Sequence, residues 1–368
     1  MTNPLVDLGR LGQSIWYDYI TRDLMASGAL RRLIEQDRLA GMTSNPTIFE
    51  QAISGSNDYD ADIRRLATKG HRAEAIFDAL SIADVQAACD AFRPVYDATN
   101  GVDGLVSIEV SPALAHHAEA TLVEARRLWG AVDRPNLMIK IPGTAAGLPA
   151  IERAIAEGIN VNVTLLFAVH RHRDVIGAYL RGLEQRLADG LAVDRIASVA
   201  SFFVSRVDSK IDPWLDAAGA PPEVRSTAAV ANACTAYDTF AHAFRGSRWE
   251  RLAAAGAQIQ RPLWASTSTK DPRLPDVYYV EALIAPHTVN TLPPATLEAY
   301  RDHGRPEIRV PAGLAAAPQQ LDALAGHGID LDRATRELED EGVQKFADSY
   351  HQAIASIDQK ATLFVSTP

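Results

Sequence analysis

Cysteine is nearly absent from this chain. Cys89 and Cys234 are the only two, and they share no metal or redox spacing, which argues against a zinc centre, a disulfide framework and a dithiol pair. Long apolar runs are missing as well. None approaches the roughly 18 consecutive apolar residues that cross a bilayer, and the opening segment has no basic stretch followed by an apolar one. Excess positive charge is also lacking. With 36 lysines and arginines against 46 aspartates and glutamates the net charge is −10, so neither a nucleic-acid backbone nor an anionic membrane surface attracts the molecule as a whole. A soluble cytoplasmic protein with no nucleic-acid or membrane partner is the expectation, and any anionic substrate needs a local basic pocket. Lysine itself is scarce: Lys69, Lys140, Lys210, Lys270, Lys345 and Lys360 stand against a large excess of arginine.

What is present is the composition of an ordinary globular protein, 47% hydrophobic and 22% charged over 368 residues, enough for a large core. Short β-branched or apolar runs alternate with longer stretches of helical period, the pattern of βα units around a parallel sheet. Strands are predicted at Ser14–Tyr19, Ala40–Ser44, Gly104–Val110, Leu137–Ile141, Gly158–Leu165, Ile196–Phe203, Pro262–Thr267 and Thr288–Thr291. Eight strands suggest closure into a (β/α)8 TIM barrel, one domain over residues 1–368 with helical insertions and C-terminal helices. Helices are expected at Ser111–Leu128, Ala145–Glu157 and Leu166–Leu187, with extra ones at Tyr59–Leu66, Glu74–Ala98 and Ser209–Ala243. Gly313–Gly326 reads as a helix-rich tail segment, and Leu338–Ile357 as a last helix packed over one barrel end.

Strand parity carries the first chemical clue, because side chains alternate between barrel interior and helix layer. Asn160, Asn162 and Thr164 alternate with Ile159, Val161, Val163 and Leu165, so the polar set faces inward. The same rule puts Ser107 with Glu109, and Lys140 with Met138, on interior positions. Asp18 at the end of the first strand and Asn45 just after the second complete the set. Polar groups at the carboxyl ends of barrel strands are where this fold places its active sites. Lys140 alone among the lysines sits inside an apolar strand, where desolvation lowers an amine from about 10.4 towards roughly 7–8 and frees it to attack a ketone. Taken singly, each of these residues has a plainer reading: a snorkelling edge lysine, a glutamate paired with it, ordinary polar barrel fillers.

Three segments carry a family resemblance: Thr43-Ser44-Asn45-Pro46-Thr47, Leu137-Met138-Ile139-Lys140-Ile141-Pro142, and Gly158-Ile159-Asn160-Val161-Asn162-Val163-Thr164-Leu165-Leu166-Phe167. They resemble transaldolase signatures, and the likeness runs in order from about Gly12 to Ile357, closest to the longer bacterial branch. The resemblance implies a transferase of the pentose phosphate pathway that moves a dihydroxyacetone unit between sedoheptulose 7-phosphate or fructose 6-phosphate and glyceraldehyde 3-phosphate or erythrose 4-phosphate, without cofactor or metal. It also implies Lys140 as the Schiff-base lysine, Asp18 as the base for carbon–carbon cleavage, and Glu109 as the acid–base partner acting with Thr164 through a water. Asn45 and Asn162 would hold hydroxyls of the three-carbon intermediate. Ser201, Phe203 and Arg206 would line the substrate channel, with Arg206 on phosphate. Two departures stand out. Lys270 occupies a position where many members carry arginine, leaving the accompanying serine as Ser266 or Ser268, and Trp16-Tyr17 before Asp18 is bulkier than the usual small residues.

Other features point elsewhere only weakly. His170 and His172, two apart on a helix, send their rings to different faces, which disfavours a shared metal. Gly143-Thr144-Ala145-Ala146-Gly147 lacks the spacing and lysine of a phosphate-binding loop and reads as a substrate-side turn. Tyr278, Tyr279 and the tryptophans read as packing residues, although Trp16 shares parity with Asp18. Two rivals remain open: a class I fructose-6-phosphate aldolase-like enzyme that releases free dihydroxyacetone, and a non-catalytic sugar-phosphate-binding barrel. Oligomeric state and preferred donor are left open by the sequence.

Overall fold

The computed structural model describes residues 3–366. Its centre is a closed barrel of parallel strands: β1 (Gln13–Asp18), β2 (Gly41–Thr43), β3 (Leu105–Glu109), β4 (Leu137–Pro142), β5 (Val161–Leu166), β6 (Ser198–Phe203), β7 (Arg261–Ala265) and β8 (Thr288–Leu292). Each strand pairs with the next, and β8 closes on β1. Parallel neighbours need a crossover, and the amphipathic helices between strands supply it while burying the outward Val, Ile and Leu side chains. All eight predicted strands are present, with ends moved by a few residues.

The strand β5 shows how local sequence sets the geometry. Gly158, with φ of +91°, ends the helix Leu148–Glu157 in the left-handed conformation that glycine adopts without strain. Beyond Thr164 the alternation breaks: Leu165 has φ of +59°, and the pairing of β5 with β6 shifts register between Val163 and Leu166. This bulge lies at the carboxyl end of the strand, the rim where the site forms.

Trp16 fills the barrel interior. Its ring is fully buried and faces Gly41, its register partner on β2. A Cβ at Gly41 would sit 2.6 Å from Trp16 Cε2, so the bulky residue before Asp18 is accommodated by a missing side chain across the strand pair. The amino-terminal end is closed by polar groups: Arg261 Nη1 donates to Ser14 Oγ at 2.8 Å and Arg261 Nη2 to Asp103 Oδ1 at 2.9 Å.

Three expectations are revised. The stretch Ser209–Ala243 is not one helix: it divides into Ser205–Ala217 and Ala228–Ala243, separated by a turn around Pro221 and Pro222, because proline removes a backbone donor and clashes with the preceding turn. The helix expected from Ser111 begins at Ala118, after a short 3-10 turn at Pro112–Leu114. Asn160 does not join the polar interior at the rim. It precedes β5, donates to Leu137 O at 3.0 Å and accepts from Ala197 N at 2.9 Å, bridging three strand starts at the opposite end.

The last helix, Leu331–Ser366, is longer at both ends than expected and lies over the carboxyl-end rim. Thr47 Oγ1 and Ser349 Oγ share a 2.8 Å hydrogen bond, and Lys360 Nζ donates to Ile53 O at 3.0 Å and Asp60 Oδ1 at 2.7 Å. A Cβ at Gly342 would approach Leu165 Cδ2 at 2.9 Å, so glycine lets this helix settle directly on the bulged end of β5.

The Trp16–Gly41 contact is testable by a double-mutant cycle. Gly41→Ala should destabilise the fold by roughly 1–3 kcal/mol in urea unfolding, the usual range for overpacking, and Trp16→Leu in the same chain should recover about 1 kcal/mol or more of coupling. Additive effects would mean that the methyl is absorbed elsewhere than against the indole.

Candidate active site

The carboxyl ends of the strands open into a cleft of about 510 Å³ lined by Asp18, Asn45, Lys140, Thr164, Ser201, Phe203, Arg206, Ser266, Ser268 and Lys270. The residues come from the ends of β1, β4, β5 and β6 and from the turns after β2, β6 and β7, brought together by barrel closure from positions up to hundreds of residues apart.

Lys140 lies at the centre. Its side chain is 5% exposed, and Nζ stands 3.2 Å from Glu109 Oε2, itself 3% exposed, and 3.2 Å from Ser44 O. The pair follows from register, since Glu109 is opposite Lys140 on β3 and β4. Burial raises the Glu109 carboxyl above its ordinary range, with Lys140 opposing the rise. Apart from Lys140, the carboxylate has no hydrogen-bond partner among the described residues, and the buried Thr164 hydroxyl has none either. A buried carboxyl with a raised pKa beside an amine is a group that can exchange a proton with it.

Asp18 sits across the cleft. Burial raises its carboxyl too, while Lys140, a hydrogen bond from Thr43 and Arg206 pull the other way. Thr43 Oγ1 donates to Asp18 Oδ1 at 2.7 Å and is 2.7 Å from Thr291 Oγ1, which fixes the carboxylate between β1, β2 and β8. Thr43 and Thr291 were not singled out from sequence. The signal for Thr43 lay in register, because it is the β2 partner of Asp18.

Asn45 caps the helix Pro46–Ser54, its Oδ1 accepting from Ile48 N at 3.0 Å. The cap occupies the carbonyl and leaves the NH2 group as the donor available to the cleft. Asn162 is placed differently. It is fully buried behind the cleft wall, its Nδ2 donating to Ser107 Oγ at 3.0 Å and its Oδ1 accepting from Ser201 Oγ at 2.6 Å. It therefore meets the cleft through Ser201.

The far end of the cleft is basic. Arg206 opens the helix Ser205–Ala217 and lies over the Phe203 ring at 5.0 Å. The helix is held by buried Asp208, which accepts from Ala229 N and Tyr279 Oη at 2.8 Å each. Lys270 Nζ donates to Ser268 Oγ at 2.7 Å, while Ser266, at φ of +56°, is 3.1 Å from Ser205 Oγ. Both serines line the cleft. Lys345 and Phe346 of the last helix also line it, the Phe346 ring lying 5.4 Å from Lys140 Nζ. Sequence reasoning placed that helix over a barrel end without identifying a contact. Outside the cleft, His170 is exposed and His172 buried, on different faces of their helix.

A closed (β/α)8 barrel that gathers a buried lysine–carboxylate pair and basic side chains in a cleft at its carboxyl end belongs to the class of (β/α)8-barrel enzymes, whose active sites lie at that end. The chain belongs to the transaldolase/fructose-6-phosphate aldolase family, which matches residues 15–357. It is 51% identical over 363 residues to a transaldolase of Parafrankia sp., covering 98% of each chain. Over 361 residues it is 52% identical to a transaldolase of Acidothermus cellulolyticus, covering 97% of this chain and 96% of that one. A protein called transaldolase 2 from Nostoc sp. is 48% identical over 374 residues, 98% of each chain.

The raised carboxyl of Asp18 has a consequence for stability. A folded-state pKa above the unfolded value of about 4 means that the folded chain holds this proton more tightly, so the Asp18 contribution worsens as pH rises through that window. Asp18→Asn keeps an acceptor for Thr43 and removes the buried charge. At pH 8 it should melt higher than the parent by on the order of 1–3 °C, with the gain shrinking towards pH 4. A lower melting temperature at pH 8 in calorimetry would show that attraction to Lys140 and Arg206 outweighs burial.

Proposed function

We infer that this protein is a transaldolase that carries a dihydroxyacetone unit from sedoheptulose 7-phosphate or fructose 6-phosphate to glyceraldehyde 3-phosphate or erythrose 4-phosphate on Lys140. The supporting observation is the placement of that residue: among the described residues it is the only buried lysine, and it lies between an acid and an open cleft. The near-full-length likeness to proteins named transaldolase supports the same reading.

In this mechanism the neutral amine of Lys140 adds to the C2 ketone. Glu109, working through a water held with Thr164, supplies the proton that lets the carbinolamine lose water and become an iminium. Asp18 removes the C4 hydroxyl proton, the C3–C4 electrons flow into the iminium, and the first aldose leaves. The remaining enamine attacks the acceptor carbonyl, Asp18 returns its proton to the new hydroxyl, and water releases the product ketose from Lys140. The electron sink is the iminium, and no metal is called for. Asn45 donates to a fragment hydroxyl, and Asn162 acts on one through Ser201, whose hydroxyl it holds in place. Ser201 and Phe203 guide the chain of the sugar towards Arg206, Lys270 and the serine at Ser266 or Ser268, which take the phosphate. The enamine survives because fixed donors and a dry wall keep protons and water away. The barrel, its insertions and the terminal helices act as one folding unit, working in the cytoplasm on phosphorylated sugars.

Borohydride added with fructose 6-phosphate should inactivate the protein and leave the reduced three-carbon adduct on Lys140 alone in peptide mass mapping; adduct elsewhere, or none, overturns the assignment. Ketose consumption should require an acceptor aldose, whereas turnover to free dihydroxyacetone without acceptor would make the protein an aldolase. Arg206→Ala should raise KM for phosphorylated donors by about 10-fold or more, with a smaller loss in kcat, since it removes a contact made in ground and transition states alike. An unchanged preference for phosphorylated over unphosphorylated ketose would move the phosphate site away from Arg206.

A further inference from the structure

Three cationic side chains converge on the far end of the cleft from separate parts of the fold: Arg206 after β6, Lys270 after β7 and Lys345 on the terminal helix. Most other basic side chains of the protein are engaged with carboxylates. These are not. Among the described residues, Lys345 has no ion pair or hydrogen bond, Lys270 donates only to the neutral Ser268 Oγ, and Arg206 lies over Phe203. The acids nearest Arg206, Asp18 and Glu341, act on it at a distance, and Glu341 is already held by Lys210 Nζ at 2.6 Å. Burial holds the Lys270 amine below its usual range, and the nearby positive charges of Lys345 and Arg206 add to the effect. Like charges held together in a concave wall repel one another until an anion enters between them.

We propose that Lys345, on the helix that roofs the cleft, is a ligand for the substrate phosphate alongside Arg206 and Lys270. This rests on the transaldolase reading for the identity of the phosphate ester, though not for the binding of a phosphate group as such. The roof is stiffly placed, tied to the helix Pro46–Ser54 through Ser349 and Thr47, to its C-terminal turn through Lys360 and Ile53 O, and to Ser205–Ala217 through Lys210 with Glu337 and Glu341. A phosphate held by Lys345 therefore joins the roof to the two barrel turns. Since Phe346 is the next residue and its ring faces Lys140, the same contact sets the apolar lid over the reactive amine when a phosphorylated sugar is bound. A lysine from the roof also supplies charge at a site where the turn after β7 carries lysine, whose single ammonium lacks the two-pronged grip of a guanidinium.

Inorganic phosphate titrated calorimetrically into the intact protein reads the site without any turnover. Lys345→Met should weaken phosphate binding by about 10-fold or more, the loss of one charge-assisted hydrogen bond, and Lys345→Arg should restore most of it. Lys69→Met, the same charge change at a remote surface position, should leave phosphate affinity as in the parent and so separates a local contact from net charge. In steady-state assays the kcat/KM ratio for fructose 6-phosphate over fructose should fall in Lys345→Met by a similar factor. Equal phosphate affinity in the parent and Lys345→Met, or equal losses in Lys345→Met and Lys69→Met, overturns the proposal. If the parent fails to transfer a three-carbon unit yet binds phosphate through Lys345, the transaldolase reading falls and the phosphate site stands.

Discussion

A primary amine and two carboxyls inside a barrel of aliphatic side chains are the constraint around which this molecule is arranged. Charges removed from water without partners are strongly destabilising, so such groups persist only where neighbours compensate. Lys140 is held by Glu109 and the Ser44 carbonyl, Asp18 by the Thr43 hydroxyl, and beneath them Ser107, Asn162 and Ser201 form a continuous hydrogen-bonded chain. That chain spans β3, β5 and β6, so the strands that carry the proposed chemistry are also bound to one another by side chains. Compensation remains partial. Burial still pushes both carboxyls upward.

Rigidity at the rim comes from outside the barrel. The helix Leu331–Ser366 packs on Pro46–Ser54, whose first turn is capped by Asn45, so the roof and a proposed substrate donor share one support. Its approach to β5 depends on Gly342 meeting Leu165, the residue whose backbone turns left-handed at the bulge. The bulge displaces the strand after Thr164, and the roof follows that displaced surface. Cleft shape thus depends on a residue some 180 positions away in the chain, between Leu165 and Gly342. The basic wall has the same character: each cation belongs to a different element, and among the described residues none is in contact with a carboxylate.

Barrel closure was legible before any coordinates because its signal is repetitive and local. Alternating apolar runs and helical periods recur eight times, and parity at Ser107, Glu109, Lys140, Asn162 and Thr164 places polar groups inward on successive strands. Parity fails where the strand itself is not regular. Asn160 has the right parity, but it lies ahead of β5 and serves backbone groups of the opposite end, a difference set by strand length and tilt. The break in Ser209–Ala243 was readable from Pro221 and Pro222 but was masked by apolar spacing on both sides.

The barrel, the inward lysine with its carboxylate neighbour, the family and the chemistry to be expected can all be read along the chain, because each depends on short motifs or on a period that survives averaging. Folding in three dimensions is needed to join Asp18 through Thr43 to Thr291, to set Asn162 behind Ser201 instead of on the cleft wall, and to bring Lys345 and Phe346 over the site. Those contacts depend on register between strands and on where a long helix comes to rest. Both are set by the packing of surfaces distant in sequence, for which a single chain read from end to end carries no local signal.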